Sequence, residues 1–210
     1  MIAIVTLALV MHSAFDRDSC VTQFPHRAPH SAKQYFNKFD PIFLNVASAR
    51  NLDPKLLKSI AWCETRLDPC SVSPVGARGI MQFMPGTFDL VSKAAQAQNP
   101  FDPIDSIESA GVYVSALSNY WQGDMTAIIA SYNAGPGNVS KARKRGSLVP
   151  NIPETQGYVR CVLGAYQQLQ MEYNPPSALP VPTMTYQPSL RQTHLLSALF
   201  HFFLNDLSLK

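Results

Sequence analysis

Between residues 31 and 173 apolar side chains recur at helical spacing, segment after segment, and nowhere do they sustain the alternation of a strand. That regularity commits the chain to an all-α core, with helix packed on helix. Tyr35, Phe36, Phe39, Ile42, Phe43, Val46 and Ala47 form the first pattern, which Pro41 kinks or restarts. Asp53-Pro54 reads as the N-cap and first residue of the next helix, with Leu56, Leu57, Ile60 and Ala61 on its buried face. Pro85-Gly86-Thr87 opens a short helix, and Ile107 to Tyr120 forms a longer one. Asp124 to Tyr132 is compact and apolar, and Asn133-Ala-Gly-Pro-Gly137 is expected to stop it. Pro153-Glu-Thr155 starts a last helix running through Tyr158, Val159, Val162, Leu163, Tyr166 and Leu169. Residues 69–78 and 99–105, rich in Pro, Gly and Asp, read as loops. No internal repeat is visible.

The flanks differ from this core. Residues 1–14 begin with an apolar run, Met1 to Met11, too short to span a membrane and of the length of a signal-peptide core. No Lys or Arg precedes it, and His12 stands where cleavage prefers a small residue. Export is the expectation, with an uncleaved anchor or a packing segment as alternatives. Residues 15–30, with Pro25 and Pro29, read as a linker. Residues 174–189 carry five prolines and read as an extended linker. Residues 190–210 read as an apolar or amphipathic helix. Arg191, His194, His201, Asn205 and Asp206 make it a poor membrane span. A partner, a membrane surface contacted peripherally, or its own domain are the open docking surfaces for it.

Composition removes several function classes. Hydrophobic residues are 46% and charged residues 15%, which excludes a disordered chain. The net charge of +3 is too small a bias to argue for nucleic acid. The basic run Lys141 to Arg145 reads as a solvated helix end or loop. Cys20, Cys63, Cys70 and Cys161 show no CxxC spacing and no flanking histidines, so no metal site is expected. An even cysteine count on an exported chain allows disulfides. One bridge involving Cys70 is expected, Cys161 could reach either Cys63 or Cys70, and buried free thiols are the alternative.

One residue breaks the apolar logic of the core. Glu64 falls four residues after Ile60 and seven after Leu57, so it continues the buried face of its helix. A buried, unpaired carboxylate is costly. Desolvation raises its pKa and keeps it protonated near neutrality, the state a general acid needs. A structural hydrogen-bond network around a buried Glu is the competing explanation.

The stretches AWCETRLDP (61–69), SPVGARGIMQFMPGTF (73–88), NPFDP (99–103), ASYNAGPGNV (130–139) and IPETQGYV (152–159) occur in an order that resembles the soluble-type lytic transglycosylases. These are a lysozyme-like family that cuts peptidoglycan, and the resemblance covers roughly residues 40 to 170. It implies a goose-type-lysozyme-like single catalytic domain over 31–173. It also implies peptidoglycan glycan strands as substrate and a periplasmic or cell-envelope location, with no cofactor. It implies that Glu64 is the single acid/base, first protonating the bridging oxygen between N-acetylmuramic acid and N-acetylglucosamine. The ionised carboxylate then takes the proton of the muramic C6 hydroxyl, which closes a 1,6-anhydro ring. The substrate's own N-acetyl group makes the second carboxylate of ordinary glycosidases dispensable.

The resemblance further implies substrate-binding roles for Thr65, Ser73, Gln82, Met84, Tyr132, Asn133 and Tyr158. Thr65 replaces the family's usual Ser and adds a methyl group. Gln82 offers donors and acceptors to sugar hydroxyls. Tyr132 is placed to orient Glu64 or tune its pKa, Asn133 to cap or brace its loop, and Tyr158 to line the cleft. Met81 and Phe83 read as core packing, and Glu154 as a helix N-terminal charge. Ser106 departs from the Asn often found there.

Two other readings stay open: a true hydrolase, which needs a second acid such as Asp68, Asp89, Asp102 or Asp105, and a non-catalytic wall-binding or assembly component. The short core and the appended terminal segment fit recruitment to an envelope-spanning secretion or conjugation complex or to a phage particle, and equally fit a free periplasmic enzyme.

Overall fold

The computed structural model describes residues 16–24 and 36–172, so the readings of 1–14, 174–189 and 190–210 lie outside the described residues. Eight helices occur among them: α1 (Arg17–Gln23), α2 (Asp40–Arg50), α3 (Pro54–Thr65), α4 (Pro85–Ala95), α5 (Pro103–Tyr120), α6 (Met125–Ala134), α7 (Pro136–Lys144) and α8 (Pro153–Glu172). The only bridges among the described residues are two isolated ones, Val72 with Arg78 and Arg78 with Phe83. The all-α expectation holds.

Local chemistry explains where these helices begin and end. Asp53 and Asp102 cap α3 and α5 by accepting from Lys55 N at 2.8 Å and from Ile104 N at 2.7 Å. Proline follows at once in both, where its missing N–H costs nothing. Asp124 caps α6 by accepting from Ala127 N at 3.0 Å. Asn51, Arg66 and Gln96 end α2, α3 and α4 in the left-handed conformation usually left to glycine.

The packing forms one core. Helix α3 lies along α8, α5 packs against α2, α4 and α6, and α6 also meets α7 and α8. Phe43, Leu57, Ile60, Leu67, Ile80, Met81, Ile107, Leu117 and Ile129 are almost fully enclosed. Gly111 lets α2 and α5 approach closely, because a Cβ there would collide with the Val46 side chain. Inside this core Lys58 of α3 and Asp40 of α2 form an ion pair at 2.6 Å.

One expectation needs correction and one is incomplete. The linker assigned to 15–30 contains α1, because Asp16 caps it and Cys20 and Phe24 are buried against the domain. The Gly-Pro stop after Asn133 ends α6 but opens α7 at once, because Pro136 suits a first helical turn as well as a stop. The basic run therefore lies on the last turn of α7 and just past it. Two disulfides join Cys20 to Cys70 and Cys63 to Cys161. The bridge at Cys70 was expected, and the pairing of Cys63 was not readable from spacing.

Candidate active site

Glu64 stands on the last turn of α3, where the helix ends at Arg66. Arg66 and Leu67 both have positive φ, which ends the helix and turns the chain out of it. Thr65 fixes that turn: its hydroxyl donates to Ile80 O at 3.0 Å and accepts from Asp68 N at 3.1 Å. The loop after Cys70 then forms one wall of a cleft of about 440 Å³, with Ser73, Val75, Gln82, Phe83 and Met84 facing it. The opposite wall comes from Tyr113 of α5, Tyr132 and Asn133 at the end of α6, and Glu154 at the start of α8. Glu64 lines the cleft between these walls.

The electrostatics are unusual. Burial raises the Glu64 pKa to about 7, the nearby charge of Glu154 adds to the rise, and the Tyr158 hydroxyl opposes it. The Tyr158 hydroxyl is itself buried, makes no other well-formed hydrogen bond, and interacts with the Glu64 carboxyl. Burial, then the Glu64 charge, holds the Tyr132 and Tyr158 hydroxyls well above the usual phenol range.

Of the residues singled out in the sequence, Glu64, Ser73, Gln82, Met84, Tyr132 and Asn133 meet at this cleft. Their polar atoms are partly committed. Ser73 Oγ accepts from Ala77 N at 3.0 Å. Gln82 Nε2 donates to Gly79 O at 2.9 Å and Ser71 O at 3.3 Å, leaving its carbonyl oxygen for a ligand. Asn133 accepts from Thr155 Oγ1 at 2.7 Å, which braces the end of α6 on α8. Tyr132 donates to Met81 O at 3.0 Å, which holds the loop behind the cleft, and its hydroxyl lies close enough to Glu64 for the two to interact electrostatically.

Thr65 and Tyr158 do not line the cleft. Thr65 is committed to the turn, and Tyr158 is a buried neighbour that interacts with Glu64. Tyr113 and Glu154 also line the cleft; neither is among the substrate-binding residues expected from sequence, and Glu154 keeps its expected place in the first turn of α8. Tyr113 sits within a helix of core-like pattern, and its burial pushes its hydroxyl pKa up. Its contact with Tyr132, at 5.4 Å between ring centroids, is visible only in three dimensions. Phe83, read as core, is buried and also reaches the cleft.

Asp68, Asp102 and Asp105 accept from backbone N–H groups, and none of the three lines the cleft, nor does Asp89. Among the described residues no cluster of His, Cys, Asp and Glu could hold a metal ion. Nor is any helix among them long and apolar enough to cross a membrane.

This arrangement has known counterparts. The 70-kDa soluble lytic transglycosylase of Escherichia coli superposes with a TM-score of 0.58 at 23% identity, over 74% of this chain and 33% of that one. An inactive mutant of the lytic transglycosylase Slt of Pseudomonas aeruginosa gives 0.57 at 23% identity, over 75% and 31%. The fold is thus the lysozyme-like one.

The transglycosylase SLT domain family matches residues 41–149, and the chain belongs to that family. A putative soluble lytic murein transglycosylase of Haemophilus influenzae is 30% identical over 166 residues, 71% of this chain and 27% of its own length. The membrane-bound lytic murein transglycosylase C of Photorhabdus laumondii is 27% identical over 141 residues, 59% and 40% of the two chains. The chain therefore spans well under half the length of these relatives.

Proposed function

We propose that the protein is a peptidoglycan lytic transglycosylase of the cell envelope, with Glu64 as its single acid/base. The observation that carries this reading is a desolvated carboxyl with a pKa of about 7, exposed to a cleft in a family of murein-cleaving domains. A pKa raised into the neutral range lets Glu64 hold the proton that glycosidic cleavage requires. Glu64 gives that proton to the oxygen bridging N-acetylmuramic acid and N-acetylglucosamine, and the bond to muramic C1 breaks. The Glu64 carboxylate so formed meets the Tyr158 hydroxyl, which stabilises it. It then removes the proton of the C6 hydroxyl, whose oxygen bonds to C1 and closes the 1,6-anhydro ring. The proton count balances, and Glu64 ends as it began.

Gln82, Asn133 and the apolar Met84 at the cleft mouth supply sugar contacts in this reading. No cofactor enters any step. We extend the proposal to export into the periplasm and to local wall opening for a secretion, conjugation or phage apparatus. That extension rests on the terminal segments.

One observation favours a second reading. Glu154 brings another carboxylate into the cleft and is felt electrostatically by Glu64. A lysozyme-like hydrolase could use it to activate water. The discriminating experiment digests bacterial sacculi with the protein and its Glu64→Gln variant and weighs the released muropeptides. Anhydro ends that disappear with the variant support the transglycosylase. Reducing ends would support the hydrolase. No release from folded protein would sink both.

A further inference from the structure

Cys63 immediately precedes Glu64, and its sulfur is bonded to Cys161 of α8, with 6.1 Å between the two Cα atoms. Helix α8 holds much of what surrounds the carboxyl: Glu154, Tyr158, and Thr155 through its bond to Asn133. The two helices run antiparallel and are tied at both ends. Tyr166 donates to Asp53 at the start of α3, and the disulfide closes the end that carries Glu64. The carboxyl's electrostatic environment therefore depends on a covalent bond one residue away.

The two disulfides are not equivalent. Cys20 and Cys70 are fully buried, whereas Cys63 and Cys161 are half-buried. Arg66 stacks over Trp62 with its guanidinium carbon 4.9 Å from the ring centroid, and its Nη1 lies 4.0 Å from Cys161 Sγ. A neighbouring cation favours the thiolate, and a stabilised thiolate leaves a disulfide faster.

We infer that the Cys63–Cys161 disulfide is a redox-sensitive positioning crosslink: closed, it clamps α8 onto the Glu64 end of α3, and opened by a dithiol it loosens the cleft wall and turns cleavage down. In the opening step a reductant thiolate bonds to Cys63 Sγ, the disulfide breaks, and Cys161 leaves as a thiolate beside Arg66. The reductant's second sulfur then displaces Cys63 and closes its own disulfide. Two electrons pass from the dithiol to the protein, and the dithiol's two protons balance the two cysteine sulfurs. Cleavage falls because Glu64 faces Glu154 and Tyr158 of α8 and the Tyr132 hydroxyl of α6, and water reaches it when α8 loosens.

The test uses the oxidised full chain and rests on the proposed activity for one readout only. Graded dithiothreitol is added. Free thiols are alkylated and mapped by peptide mass, while unalkylated aliquots digest sacculi across a range of pH. Cys63 and Cys161 should be labelled at doses that leave Cys20 and Cys70 closed, and an Arg66→Gln variant should open several-fold more slowly. Muropeptide release should fall roughly tenfold with the same dose, and the alkaline limb of its pH profile should move about one unit toward acid. A Cys63→Ala/Cys161→Ala variant should start low and ignore the reductant.

Three results overturn the inference: prior or simultaneous opening of Cys20–Cys70, an unchanged rate and pH limb after Cys63 and Cys161 open, or loss of the far-ultraviolet helical signal at that dose. If the oxidised protein releases nothing, the activity proposal fails alone. The Glu64 carboxyl titration, followed by carbon NMR in both redox states, then decides, and an unmoved midpoint overturns the inference.

Discussion

Glu64 makes the protein less stable than its shape allows. Its pKa is near 4.5 in an unfolded chain and about 7 in the fold. The folded state therefore holds the proton more tightly between those values, and stability falls as pH rises through that window. The full penalty, about 3 kcal/mol, is reached above pH 7 and is absent below about 4.5. Glu64→Gln should abolish cleavage, raise the melting temperature at pH 8 and leave it unchanged at pH 4. Scanning calorimetry at the two pH values checks this. Glu154→Gln removes a charge that lifts the Glu64 pKa. Its pH–rate profile should shift toward acid by a fraction of a unit, with cleavage retained. If cleavage is lost and the products of the native protein carry reducing ends, Glu154 is the water-activating base.

At the scale of elements, the Lys58–Asp40 pair pins α3 to α2 from inside the core. Lys58 Nζ also donates to Asn37 at 3.2 Å and lies 4.0 Å from the Phe36 ring centroid. Removing one partner of a buried pair strands the other. Lys58→Met should cost about 3–5 kcal/mol in urea unfolding, and Asp40→Leu in the same chain should recover most of it.

Legibility from sequence also divides at this scale. Helices α3, α5 and α6 are readable because an Asp cap and apolar spacing agree, and α4 and α8 because a proline opens each ahead of an apolar pattern. Helix α7 is not, because Gly135-Pro136 is stop and start at once. Helix α1 is not, because seven residues with one Asp cap carry too little apolar spacing to read, and its burial comes from a disulfide and Phe24. In the cleft, the residues of the 73–84 loop and the end of α6 were legible as motifs. The different fates of Tyr132 and Tyr158 were not, since they depend on which carbonyl or carboxyl each hydroxyl meets after folding.

For the whole molecule, the bridges close loops of 50 and 98 residues in sequence separation. Each restricts the unfolded chain by about 4–5 kcal/mol on chain-entropy grounds. Together they are comparable with the net stability of an ordinary domain. Cys20→Ala/Cys70→Ala should lower the unfolding free energy by about 4 kcal/mol and free α1, while the pH dependence of cleavage stays in place. Urea denaturation beside the sacculus assay separates those two effects.

The loop from Cys70 to Met84 is built unlike the rest of the chain. It contains no helix, yet its first residue is fixed by a disulfide and its last leads directly into Pro85 and α4. Between those anchors its shape is kept by its own backbone bonds, Arg78 N to Phe83 O at 2.9 Å and Ser73 N to Ala77 O at 3.0 Å, by Gln82, and by the Thr65 and Tyr132 hydroxyls that donate to Ile80 O and Met81 O. A segment that lines the cleft on one side and is bonded to two helices on the other has a fixed back and a variable front. Ile80 and Met81, whose carbonyls Thr65 and Tyr132 hold, must stay for the core to close, while Ser73, Val75, Gln82 and Met84 are the positions at which the choice of ligand can be rewritten.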